Sequence, residues 1–176
     1  ILSTRGVGNY EKLGETIDDA LGEAFDKVAQ MLGLPYPGGP AVEKLAVQGD
    51  ENRFKFSKPL VGNKDHLCNF SFSGLKTAVR REIEKLVGEE FSHFTTPQKV
   101  SVQDKADICA SFQRVVCEIL VDRLNNVIAG QENQKSRKIV IAGGVAANRY
   151  IFSHLQSWAQ KFDLEVVAPP IKLCTD

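Results

Sequence analysis

KIVIAGGVAANRYIFSHLQSWAQKFDLEVVA, residues Lys138 to Ala168, is the stretch that decides the fold class. Lys138 to Ala142 is a short apolar run of the kind found in buried strands, and Gly143 and Gly144 end it. Ile151, Leu155, Trp158 and Phe162 then recur at helical spacing, which predicts a helix from near Ala147. Glu165 to Ala168 is a second strand, closed by Pro169 and Pro170. Strand, helix and strand in this order read as a parallel, right-handed unit, and the chain as α/β. A glycine pair at the carboxyl end of a strand, opening a helix, leaves backbone amides free to meet a nucleotide, although many α/β proteins carry the pattern without a ligand. Asn148, at the helix start, is either a contact to an adenine edge or a plain cap.

Working outward, LGETIDDALGEAFDKVAQMLGLPYPGG, Leu13 to Gly39, carries more acid than a structural helix needs. Its spacing predicts an amphipathic helix from a Thr16 cap to a Gly33 stop, with Ile17, Leu21, Ala24, Val28 and Met31 on the apolar stripe. Glu15, Asp19, Gly22 and Asp26 fall on the opposite row. Glu15 and Asp19 are then like charges one turn apart, and Gly22 costs about 0.5 to 1 kcal/mol relative to Ala. Two readings stand: a solvated face, or a bare acid-lined groove that hydroxyls, a cation or a polar ligand approaches. The following LPYPGGP is a stiff turn with bare backbone. Pro40 suits the first position of a short helix, Ala41 to Gln48, and Glu43 lies in its first turn, close in sequence to Gly38 and Gly39.

Between these stretches, Phe54 to Leu60 alternates aromatic and polar residues like a short extended piece, and Gly62 to Leu67 is polar loop. Ser71 or Ser73 can cap a helix with stripe Leu75, Val79, Ile83 and Leu86. Lys76, Arg80 and Arg81 decorate it beside Phe70 and Phe72, as a nucleic-acid surface would, or as an ordinary one. Glu89 to Val102 is a mixed loop holding Pro97 and His93. Ser101 with Asp104 opens a long helix with stripe Ile108, Phe112, Val115 and Ile119, ending near Gly130. The polar QENQKS marks a subdomain boundary, giving a helix-rich part, 1–137, and a strand-helix-strand part, 138–176.

The chain has 176 residues, 43% hydrophobic and 25% charged, in the range of a globular domain with one core. Formal net charge is zero, so no whole-chain field draws it to nucleic acid or membrane. No apolar run approaches the ~18 residues of a membrane span. Cys68, Cys109, Cys117 and Cys174 lack zinc or CxxC spacing and read as reduced thiols. The three histidines have no partnering spacing, and there is no HExxH, nucleophile elbow or P-loop. Asp176 follows the last strand as a reasonable metal ligand, but one carboxylate is no site.

LGETIDDALGEAFDKVA, LPYPGGP, FSFSGLKTA, IVIAGGVAANR and LCTD occur in the same order as in the TsaD family, the tRNA adenosine threonylcarbamoyltransferases once called Gcp or O-sialoglycoprotein endopeptidases. The resemblance covers essentially the whole chain. It implies an actin-like (ASKHA, Hsp70-like) ATPase fold with a nucleotide between two α/β lobes, here present in part. It also implies that Asp26, Gly39 and Glu43 are the adenosine and ribose contacts, that Asn148 is a further nucleotide contact, and that Asp176 is the metal-ligand aspartate. Ribose hydroxyls want carboxylate acceptors, and a crowded base wants glycine. The implied ligands are threonylcarbamoyl-AMP, or ATP and AMP, with one divalent ion, iron or zinc, to polarise the attacked carbonyl. The implied reaction moves threonylcarbamoyl to the exocyclic amine of the anticodon-adjacent adenosine in ANN-decoding tRNAs. The implied partners are tRNA, an inactive paralogue and an ATPase subunit, in the cytoplasm or the mitochondrial matrix.

The family's HxxxH pair and Ser-Gly-Gly-His loop are absent from this sequence, and its Asp-Asn continuation stops at Asp176. The expectation is therefore the C-terminal lobe of such an enzyme, unable to transfer threonylcarbamoyl alone, with an unpaired sheet edge that favours a homodimer or aggregation. The alternative is a non-catalytic nucleotide-binding subunit or paralogue of a tRNA-modification complex. A peptidase has no supporting motif, and a sugar or acetate kinase of the same superfold fits the motif order poorly.

Overall fold

The computed structural model describes residues 1–88, 100–130 and 138–170. The chain opens on an antiparallel hairpin, β1 (Leu2–Gly6) and β2 (Asn9–Lys12), with Leu2 opposite Lys12 and a register shift between Thr4 and Gly6. Four helices follow: α1 (Leu21–Met31), α2 (Gly38–Ala46), α3 (Ser73–Val87) and α4 (Val102–Gly130). The chain then forms β3 (Lys138–Val140), a single 3-10 turn at Gly144–Ala147, α5 (Arg149–Gln160) and β4 (Glu165–Val167). β3 and β4 pair in parallel, Ile139 opposite Val166, so the strand-helix-strand reading holds and the fold is α/β.

α4 is the central element. Ile108, Phe112, Val115 and Ile119 are fully or almost fully buried, as the stripe predicts, and Ser101 with Asp104 forms the expected cap, Asp104 N–H donating to Ser101 Oγ at 3.0 Å. Phe112 meets Phe25 of α1 edge to face, with ring centroids 5.0 Å apart. Val42 of α2, Leu75 and Val79 of α3, and Ile151 and Leu155 of α5 belong to the same core. Trp158 and Val166 pack with Leu124 and Ile128 in a smaller cluster beside it. The expected boundary at QENQKS, with His93, Pro97, Cys174 and Asp176, lies outside the described residues.

Several expectations are corrected. α1 starts at Leu21 rather than after Thr16, because the backbone before it is already engaged: Ile17 N–H donates to Phe70 O and Phe70 N–H to Glu15 O. Residues 15–17 are thus extended, Ile17 is half exposed, and Glu15 and Asp19 do not share a helix face with Asp26. Gly33 does end α1, at φ 68°, in the left-handed conformation expected of a helix stop. A Cβ at Gly22 would meet nothing within 4 Å among the described residues, so none of them requires glycine there. α2 begins at Gly38, which moves Pro40 to its third position. Phe54 to Leu60 forms no strand; Phe54 and Phe56 turn into the core instead.

α3 is capped from elsewhere in the chain. Neither Ser71 nor Ser73 caps it; Asp18 Oδ1 accepts the N–H groups of Phe72 at 2.8 Å and Ser73 at 3.2 Å, and Asp18 Oδ2 accepts both serine hydroxyls. Asp19 pairs with Lys76 at 2.8 Å and Lys27 at 3.0 Å. Phe72 is buried, Lys76 is held by Asp19 and Arg80 by Glu84, so this face is not the exposed basic and aromatic platform considered above. Of the other acids, Glu23 pairs with Lys27 on α1 itself and Glu15 with the preceding Lys12, so only Asp19 draws a lysine, Lys76, from a distant segment.

Cys109 and Cys117 are buried free thiols, and burial pushes both up to about 12, as befits inert core residues. No helix among the described residues is long and apolar enough to cross a membrane. KIVIA does not behave as a fully buried strand: Val140 is 69% exposed, and among the described residues β3 pairs with β4 alone. Between β1 and β3 runs an apolar trough of about 970 Å³, floored by Leu120, Leu124 and Ile128 of α4.

Candidate nucleotide site

Three of the four expected nucleotide contacts act as helix caps, and together they tie α1, α2, α4 and α5 into one polar relay. α2 is preceded by Pro37, which has no side-chain acceptor, so its first N–H groups need a partner from elsewhere. Asp26 of α1 supplies it, Oδ1 accepting from Gly38 N–H at 2.8 Å. The approach is close enough that a Cβ on Gly38 would lie 2.6 Å from Asp26 Cα and 2.7 Å from Phe25 O. Glycine is required there by contact, whereas Gly39 has nothing within 4 Å of a built Cβ and faces open space.

One turn into α2, Glu43 Oε1 accepts from Arg149 N–H at 2.8 Å and so holds the first turn of α5. Asn148 caps the same helix, Oδ1 accepting from Ile151 N–H at 3.0 Å, while its Nδ2 donates to Gln113 Oε1 of α4 at 2.8 Å. Tyr150, next in α5, donates to Glu51 Oε2 at 2.6 Å; burial and that carboxylate raise its hydroxyl well above the usual phenol range. Between β3 and α5, Gly143 takes φ 77° and the 3-10 turn at 144–147 brings the chain round to the helix start.

The structure therefore brings Asp26, Gly39, Glu43 and Asn148 to two neighbouring helix N-termini. Each N-terminus carries partial positive charge and is matched by one carboxylate. A carboxylate has acceptor capacity on both oxygens, and Asp26 Oδ2 and Glu43 Oε2 have no partner among the described residues. That leaves acceptors for ligand hydroxyls beside the open face of Gly39. The sequence missed Gln113, Glu51 and the N–H of Arg149. Gln113 had a legible signal, a polar side chain one residue after Phe112 on the long helix whose apolar stripe runs through the core; Glu51 had none, because it lies in an irregular loop.

Asp176 lies outside the described residues, and among those described no group of three or more His, Cys, Asp or Glu side chains is placed to hold a metal ion. They do not by themselves fit an iron or zinc centre, and the chemistry open to them is hydrogen bonding and positioning.

The parallel strand-helix-strand unit places the chain in the α/β class. Its family is more definite. The model of the family TsaD, tRNA N6-adenosine threonylcarbamoyltransferase, matches residues 1–176, and the chain belongs to that family. It is 48% identical over 176 residues to the tRNA N6-adenosine threonylcarbamoyltransferase of Brucella anthropi, and 50% identical over 179 residues to that of Rhodospirillum rubrum. These matches cover 98% and 100% of this chain but 45% and 46% of the relatives, so the chain spans about half the length of the curated relatives it matches. Among solved structures it is similar to full-length HypF in its phosphate- and nucleotide-bound form, with a TM-score of 0.54 at 21% identity over 89% of this chain and 18% of that one. At that identity the likeness is one of fold.

Proposed function

We propose that this chain forms the adenylate-holding part of a tRNA N6-adenosine threonylcarbamoyltransferase with an actin-like fold. The observation that carries the reading is the convergence of Asp26, Gly39, Glu43 and Asn148 on the N-termini of α2 and α5, with one oxygen of each carboxylate unused. Asp26 and Glu43 accept ribose hydroxyls, Gly39 leaves room for the base, and Asn148 offers its second amide hydrogen to the adenine edge. In the reaction, the exocyclic amine of a tRNA adenosine attacks the carbamoyl carbon of threonylcarbamoyl-AMP. A new C–N bond forms, the bond from that carbon to the phosphate oxygen breaks, AMP departs and the amine loses a proton. The part played by the described residues is to fix the adenylate leaving group, an entropic contribution.

A divalent iron or zinc ion with Asp176 among its ligands belongs to this proposal through the family alone. So do tRNA as substrate, the paralogue and ATPase subunits, and a cytoplasmic setting. A homodimer through the edges of β1 and β3, which pair with no further strand among the described residues, is a further proposal, checked by sedimentation over a range of concentrations. The central test is calorimetric titration of the chain with AMP. Saturable one-to-one binding, lost in Glu43→Ala, supports the site; no binding overturns it. Labelled threonine offered as threonylcarbamoyl-AMP with tRNA is expected to give no modified tRNA with this chain alone.

A further inference from the structure

We infer that Gln113 is a positioning residue for the nucleotide site, acting through Asn148; the inference rests on the adenylate reading above. Gln113 is 2% exposed and sits on the buried face of α4 beside Phe112. A primary amide in such a place is unfavourable unless hydrogen-bonded, and packing alone would be served better by Leu or Met. Its Oε1 accepts from Asn148 Nδ2 at 2.8 Å, inside the protein.

Two hydrogen bonds hold the Asn148 amide. Ile151 N–H is a donor, so the atom opposite it, 3.0 Å away, must be the Asn148 oxygen. The Asn148 nitrogen therefore faces α4, where only an acceptor suits it, and Gln113 presents one. Turning the Asn148 amide over would set NH2 against the Ile151 N–H and leave an oxygen facing the Gln113 oxygen. The Ile151 N–H sets which way the Asn148 amide faces, and Gln113, accepting from Nδ2, holds it in that rotamer and leaves the second Nδ2 hydrogen for a ligand. It also steadies the peptide that follows, whose Arg149 N–H is held by Glu43. The arrangement joins the long core helix, through the start of α5, to the Glu43-bearing α2, by a residue that itself touches no ligand.

The test uses the full 176-residue chain, AMP as probe, and the variants Gln113→Met, Gln113→Glu and Asn148→Ala. Met matches Gln in length and removes the acceptor; Glu keeps it. Q113M is expected to weaken AMP binding about tenfold, and Q113E to stay within about threefold of wild type. In the Asn148→Ala background, Q113M is expected to change AMP affinity no further, since the residue it acts through is gone. A Q113M protein that melts earlier yet binds AMP like wild type would show a packing role only and overturn the inference. So would an equal loss of affinity with and without Asn148. Wild type that binds no AMP would overturn the adenylate reading, and the inference with it. Should Q113M not fold, the side-chain amide resonances of wild type decide: those of Asn148 and Gln113 are expected to shift together on AMP titration, and a silent Gln113 overturns the inference.

Discussion

Asp26 has two separable tasks, and substitution at this position pulls them apart. Its Oδ1 closes the N-terminus of α2 at Gly38, while its second oxygen is the proposed ribose acceptor. Asp26→Ala removes both. Losing an N-cap acceptor costs about 1 to 2 kcal/mol, and Pro37 cannot substitute. With a urea slope of about 2 kcal/mol per molar, the unfolding midpoint falls by roughly 0.5 to 1 M. Asp26→Asn keeps a neutral oxygen for the Gly38 N–H and loses only the charge on the helix dipole, a change of about 0.3 to 1 kcal/mol. For AMP the two variants are expected to behave alike, since each loses the second carboxylate oxygen. A hydrogen bond from a hydroxyl to a carboxylate contributes about 1.5 to 3 kcal/mol, so both variants weaken binding by tenfold or more. Urea unfolding followed by circular dichroism and titration calorimetry with AMP read the two tasks independently. If Asn destabilises as much as Ala, the capping argument fails; if Asn binds AMP like wild type, the ribose contact is refuted.

Asp107, 3% exposed, accepts from Asp50 N–H at 2.7 Å, Arg53 Nη1 at 2.6 Å and Gln103 Nε2 at 2.8 Å, so Asp107→Ala is expected to lower unfolding free energy by about 3 kcal/mol in urea melts, and Asp107→Asn by clearly less. Gly38→Ala and Gly49→Ala are expected to lose cooperative thermal unfolding or melt far below wild type, since a Cβ at Gly49 would stand 2.1 Å from Ala106 O. For Asp18 and Asp107, burial raises the carboxyl but their hydrogen bonds outweigh it; for Asp19 the Lys76 contact, and for Asp104 the Ser101 contact, leads the lowering. All four carboxyls are thus lowered in the folded chain, and the unfolded state binds more protons across the window between the two values. Their stabilisation is complete above the unfolded carboxylate range of about 4 and is lost as pH falls through the lower folded values, so urea midpoints measured from pH 6 down to pH 2 should fall most steeply below about pH 4, and less steeply in Asp18→Asn.

The regular elements were legible because each is a local pattern. Most of the stripes of α3, α4 and α5, the parallel β3 and β4, and the stop at Gly33 follow from spacing and from single residues with special backbone needs, but Leu86 on α3 is exposed and Phe162 is exposed beyond the end of α5. What was not legible is long-range. The acidic row seemed continuous because a helical wheel knows nothing of Phe70, which draws residues 15–17 into extended pairing, or of α3, which takes Asp18 as its cap. The site divides in the same way. Asp26, Gly39, Glu43 and Asn148 stood out as residue types in context, but their present partners, Gly38 N–H, Arg149 N–H and Gln113, span up to 106 positions in sequence and only the fold could supply them.

β3 shows the opposite relation, a sequence signal stronger than the structure around it. Five successive apolar or aliphatic-stemmed positions from Lys138 to Ala142 are the pattern of a strand covered on both faces. Only alternate residues are covered here: Ile139 and Ile141 pack toward Trp158 and Val121, while Val140 is exposed and the free edge of β3 looks into the trough that β1 also lines. Were KIVIA an ordinary half-exposed strand, polar residues would alternate with apolar ones along it. They do not, so the pattern encodes a burial that the described residues leave incomplete. The bonds from Asp26 to the start of α2, and from Glu43 and Asn148 to the start of α5, by contrast, lie wholly within them. The proposed nucleotide contacts are thus held by interactions that do not depend on the trough being filled, which is why AMP binding, and not transfer, is the activity to look for first in this chain.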